Sequence, residues 1–105
     1  MAFFETLALI ALITSIVANI AITVYIVYLT FQDVVNWFRN RQSQINKRKV
    51  AFTLQQQISS GKHKTIQGIF DTGSNDLNEA RIINSDSVDS RIADAHRYNE
   101  LVLYE

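Results

Sequence analysis

The chain has no cysteine and no proline, and only three glycines and one tryptophan. Without cysteine, no disulfide, zinc–thiolate site or iron–sulfur cluster can form within it. Without proline, nothing forbids one long uninterrupted helix. Charge is missing too, but only locally. From Thr6 to Gln32 no residue is charged, and almost every position is Leu, Ile, Val, Ala, Thr, Phe or Tyr. A helix needs about 20 apolar residues to cross a bilayer, and this run is longer. A domain of this size would not expose, and could not easily bury, a helix that is apolar on all sides. The composition therefore predicts a transmembrane helix within residues 1–32, running from about Phe4 to Phe31, with Tyr25, Tyr28 and Trp37 in the headgroup zone.

The formal net charge is zero, but the charges fall in blocks. Residues 1–33 hold only Glu5 and Asp33. Residues 34–64 hold Arg39, Arg41, Lys47, Arg48, Lys49, Lys62 and Lys64 and no acid. Residues 65–105 hold Arg81, Arg91 and Arg97 against a majority of acids. Basic residues follow the hydrophobic run and none precedes it, which places the C-terminal part in the cytoplasm or the stroma and the N-terminus outside or in the lumen. A cleavable signal peptide would need a basic start and a shorter apolar core. The segment Met-Ala-Phe-Phe-Glu and the length of the run favour a retained anchor.

Residues 33–60 read as a basic amphipathic juxtamembrane helix. Val34, Phe38, Ile45 and Phe52 fall near one stripe, interrupted by Arg41, Arg48 and Gln55. Trp37, Arg39, Arg41, Lys47, Arg48 and Lys49 are the candidates for contact with anionic lipid headgroups or a partner. Ser59-Ser60-Gly61 marks a helix stop and hinge. Residues 61–105 read as a small β-β-α-β module. Its parts are strands at Thr65–Asp71 and Leu77–Ile83, a helix carrying Val88, Ile92 and Ala95 on one face, and a last strand Tyr98–Tyr104. A unit of that size is marginal alone and needs support from the preceding helix, a copy of itself or a partner.

Within the apolar run, Ala8, Ala11, Ser15, Asn19 and Thr23 recur at helical spacing. Small residues allow close helix approach, and Ser, Asn and Thr can hydrogen-bond across the contact, so Ala11, Ser15, Asn19 and Thr23 are the candidate helix-packing residues. No acid, base or histidine lies in the run to carry a proton or ion relay.

Few residues suggest chemistry. Asp71-Thr72-Gly73-Ser74, preceded by Ile69-Phe70, resembles the Asp-Thr-Gly-Ser tetrapeptide of aspartic proteases over seven residues at most. That resemblance implies two carboxylates sharing a proton, the second supplied by another copy. A hairpin turn accounts for the same residues. His63 and His96 have no metal-ligand spacing around them, and Gly61-Lys62 lacks the glycine loop of a phosphate-binding motif. No catalytic residue, cofactor or metal is indicated, and neither nucleic acid nor a small-molecule substrate is an expected partner. The expected fold class is a single-pass transmembrane α-helix continuing into a basic juxtamembrane helix and a small α+β cytoplasmic module. The expected role is a non-catalytic accessory or assembly subunit of a larger membrane complex, with energy-converting complexes as the analogous context. Its partners would be integral membrane proteins or the chain itself. A self-oligomerising, holin-like protein is one alternative. A tethered adaptor using Tyr98–Tyr104 as an added strand is another.

Overall fold

The computed structural model describes the backbone of residues 3–57 and 61–104 and the side chains of residues 8–56 and 61–104. The uncharged run is not one helix. It divides into α1 (Phe3–Ile20), β1 (Ile22–Tyr25) and the two-residue β2 (Tyr28–Leu29), and its last residues enter α2 (Phe31–Arg39). The reason is local. From Ile22 to Tyr28 every residue is β-branched or aromatic, types that lose side-chain freedom in a helix and pack well on a pleated strand.

This corrects the expected fold class. Among the described residues no helix is long and apolar enough to cross a membrane. The transmembrane helix, the single-pass membrane assignment and the outside-to-cytoplasm orientation read from the charge blocks fall with it. The radius of gyration is 12.9 Å, the value of about 13 Å expected for a packed chain of this length.

The predicted juxtamembrane helix is corrected as well. After α2 the chain makes a short 3-10 turn (Gln42–Gln44) and enters β3 (Lys49–Gln57). In β3, Val50, Phe52 and Leu54 alternate toward one face. That period of two was hidden among residues matched to a helical stripe. Ser59 and Ser60 of the proposed hinge lie outside the described residues. Beyond them come β4 (His63–Asp71), β5 (Asp76–Ser85), the two-residue β6 (Ser87–Val88), α3 (Ser90–Ala95) and β7 (Leu101–Tyr104). The expected hairpin occupies its segment, but the short helix begins only at Ser90, leaving Val88 in β6, the last strand begins at Leu101 rather than Tyr98, and these elements do not form a separate module. They share a mixed five-stranded sheet of order β1-β5-β4-β3-β7, with β1 parallel to β5 and the other neighbours antiparallel. The β2–β6 pair forms a second, minimal ladder.

Helices cover both faces of the sheet. On one face, Ile13 and Val17 of α1 are buried with Phe52, Leu54, Ile66, Phe70, Leu77, Ala80 and Leu101. Leu9, Ile10, Leu12 and Ile16 pack around them at helical spacing. On the other face, Leu29, Val34, Ile83 and Ile92 form a second cluster beneath α2 and α3. The start of α2 is well specified. Thr30 caps it by accepting from the Asp33 N–H at 3.0 Å, and the Asp33 carboxylate accepts from the Thr30 N–H at 3.3 Å. Asp89 caps α3 and also accepts from the Phe31 N–H at 3.1 Å, tying the two helix starts together. Those donated hydrogen bonds, from Arg91 and then Phe31, hold the Asp89 carboxyl below its usual range.

Candidate functional site

Two surfaces stand out. The first is the outer edge of β1. The strand pairs with β5 on one side only, and no described strand pairs with the other. The Ile26 N–H donates to the Asn84 carbonyl at 3.0 Å. By the alternation of a strand, Ile22, Val24 and Ile26 turn their N–H and C=O groups toward β5, and Thr23 and Tyr25 turn theirs outward. Ile22 is 72% exposed and Val27 60%, and Ile20, Tyr25 and Tyr28 are also exposed. Edge strands are usually protected by being short, as this four-residue strand is, or by lysine, proline, a bulge or a covering segment. Here the strand itself holds none of these residues, and its register with β5 is regular.

The second surface is an open cleft of about 400 Å³ between α2 and the β3–β7 edge, lined by Val35, Phe38, Arg39, Gln42, Ile45, Ala51 and Tyr104. Its wall leads into a partly buried chain of polar groups centred on Thr53. The Tyr104 hydroxyl lies 2.8 Å from Thr53 Oγ1, which lies 2.8 Å from His96 Nε2, and His96 Nδ1 lies 3.0 Å from the Asn99 carbonyl. Only an N–H can face that carbonyl. Nδ1 therefore carries the proton, Nε2 accepts from Thr53, and Thr53 accepts from Tyr104. Thr53 is fully buried, so its hydroxyl cannot reach a substrate, although a hydroxyl beside a histidine is the form an activated nucleophile takes.

Burial is the main cause that lowers the His96 pKa, partly opposed by the Asn99 and Glu100 backbone. Burial also pushes the Tyr104 phenol up. A base with a lowered folded pKa is held neutral. Its contribution is complete above the unfolded value of about 6.5 and is lost as pH falls below it. Urea midpoints measured from pH 7.5 to 5 should therefore decline with acidity, and His96→Gln should flatten that decline. The lowered carboxylates Asp71, Glu79 and Asp89 act in a more acidic window.

The sequence-predicted residues are scattered by the fold. Ala11, Ser15 and Asn19 lie exposed on the outer side of α1, and Thr23 lies not on a helix but in β1. The Ser15 hydroxyl donates to the Leu12 carbonyl at 2.8 Å within its own helix. Among the basic candidates, the fold joins Trp37 to Arg41. The Arg41 guanidinium sits 3.9 Å from the ring centroid of Trp37, a buried residue. Arg41 Nε reaches Glu79 at 2.6 Å, and Gln44 donates to the other Glu79 oxygen at 3.0 Å. The hydrogen bond from Gln44, then that from Arg41, lowers the Glu79 pKa. This set clamps α2 and the following turn to β5. Arg39 lines the cleft, and Lys47 and Arg48 are exposed. Lys49, at the start of β3, is partly buried.

Asp71-Thr72-Gly73-Ser74 lies at the β4–β5 turn. Asp71 Oδ1 accepts from the Gly73 N–H at 2.8 Å, and the Thr72 N–H and hydroxyl both donate to the Arg48 carbonyl. The Gly73 hydrogen bond is the largest cause that lowers the Asp71 pKa. Such a carboxylate is poorly suited to share a proton. Among the described residues, no three His, Asp or Glu side chains converge as a metal site. The sequence reading missed the β1 edge and the Thr53–His96–Tyr104 chain. The edge had a signal in its unbroken β-branched and aromatic stretch. The polar chain had none, because Thr53, His96 and Tyr104 belong to separate elements, of which only Thr53 and Tyr104 are brought together by the pairing of β3 with β7. No protein-family model matches the chain, and no curated protein or solved structure matches it either.

Proposed function

We propose that this protein is a non-catalytic assembly protein that binds by strand addition at β1. The observation that carries the reading is a short edge with no lysine, proline or bulge: two outward-facing peptide units at Thr23 and Tyr25 flanked by exposed Ile22, Val27 and Tyr28. Main-chain hydrogen bonds supply affinity in this mode, and alternate side chains supply selectivity. The opposite edge, β7, suits it less, because exposed Arg97 and Glu100 lie just before the strand. The deep burial of Thr53 argues for a structural rather than a catalytic role for the His96 chain.

Thr23→Pro tests the reading. It removes an N–H that faces away from β5, a place where a strand tolerates proline. Full-length protein purified gently from its native source should migrate on a native gel in an assembly larger than the single chain. Thr23→Pro should release it while leaving the circular dichroism spectrum unchanged. An assembly of the same size in both would sink the proposal.

A further inference from the structure

We infer that the strand received by β1 is the β1 of a second copy, paired antiparallel about a two-fold axis at Val24. The inference rests on the strand-addition reading above and specifies its partner. The outward groups belong to Thr23 and Tyr25, two residues apart with Val24 between them. In an antiparallel ladder, directly opposed residues alternate between pairs that exchange two hydrogen bonds and pairs that exchange none. Setting Val24 opposite Val24 of the second copy makes it a pair of the second kind. Thr23 then stands opposite Tyr25 of the second copy, and Tyr25 opposite Thr23. Each of those pairs exchanges two bonds, so every outward N–H and C=O of the strand is satisfied. No other centre within the strand does this.

Side chains obey the same two-fold. On one face Ile22 meets Ile26 of the second copy and Val24 meets Val24, a continuous apolar stripe. On the other face Thr23 meets Tyr25. Aromatic and β-branched residues are favourable cross-strand neighbours. Electrostatics raises no barrier, since residues 6–32 carry no charge to repel their own copy. Asp86, which reaches the edge by accepting from the Tyr25 hydroxyl at 2.6 Å, also lies 3.6 Å from Lys62 Nζ. A closed two-fold contact of this kind uses the same patch on both subunits. It joins two five-stranded sheets into one continuous sheet and leaves neither β1 edge exposed.

Because the chain has no cysteine, a single introduced thiol reports the register without background. Opposed residues in a pair that exchanges no hydrogen bonds have Cα atoms about 4.5 Å apart, inside the range a disulfide spans. On mild oxidation of the purified full-length protein, Val24→Cys should convert almost wholly to a covalent dimer. Ile22→Cys and Thr23→Cys, which face other residues of the second copy, should cross-link at least tenfold more slowly. Sedimentation equilibrium of the unmodified protein should give a dimer mass that returns to monomer in Thr23→Pro. A monomer mass up to about 100 µM, or cross-linking no faster at position 24 than at 22 and 23, overturns the second-copy inference. If Thr23→Pro still dissolves the native assembly in that event, the partner is a foreign strand and the edge reading survives. If it does not, both fail.

Discussion

An aspartate at Ile13 should unfold the protein, whereas an aspartate two residues further along the same helix, at Ser15, should leave it folded. Ile13 is completely buried with Phe52, Leu54, Ile66 and Phe70. Ser15 is exposed, and its hydroxyl donates to the Leu12 carbonyl of its own helix. Leaving a carboxylate uncompensated in an interior costs roughly 3–5 kcal/mol, a large part of the 5–15 kcal/mol that holds a typical domain together. The smaller change Ile13→Ala should cost about 2–5 kcal/mol through lost contact and the cavity left behind. Ser15→Asp should stay within about 0.5 kcal/mol. Far-ultraviolet circular dichroism with urea titration separates these outcomes. Equal behaviour of the two aspartate variants would show that α1 does not dock by the Ile13–Val17 face.

The second large effect is expected at Gly68, in the middle of β4. A Cβ added there would lie 2.8 Å from the Glu79 carbonyl oxygen, 3.0 Å from the Ala80 Cβ and 3.1 Å from the Phe52 ring. The nearest of these is backbone of the paired strand and cannot swing away. Strand propensity alone favours valine over glycine, so the two effects oppose each other and the steric one is the larger. Overpacking of a core costs about 1–3 kcal/mol. Gly68→Val should sit at or above the top of that range and lower Tm by roughly 10 °C or more. Phe52→Leu should not rescue it, because the closest obstacle is the Glu79 carbonyl. A Gly68→Val protein with unchanged Tm would mean that β4 and β5 are not paired as described.

How much of this was legible beforehand depends on the range of the interaction involved. Local chemistry was read correctly where it is self-contained. Asp71 and Gly73 close a hairpin turn through one short hydrogen bond, and Ile92 lies buried on a short capped helix, although Val88, expected on the same helix face, lies in β6 instead. The apolar run was read wrongly because mean hydropathy does not say what covers a residue. In α1 the large side chains face a sheet built from residues far along the chain, and the small ones, Ala11, Ser15 and Asn19, face outward. That division into large and small looked like a helix–helix seam, although the same periodicity serves a helix lying on a sheet. The basic stretch misled for a related reason. Arg41 is held by Glu79, a partner on a distant strand.

The sequence by itself determined a helix at the start of the chain, a hairpin turn at Asp71–Ser74 and a short helix carrying Ile92. It also determined that no disulfide ties them together. Tertiary structure alone decided that these elements form one mixed sheet between helices, that Thr53 meets both His96 and Tyr104, and that β1 lies at an edge with Thr23 and Tyr25 exposed. The physical reason is that turns and caps are settled by hydrogen bonds within a few residues. Strand order and burial are settled by which distant apolar surfaces leave water together.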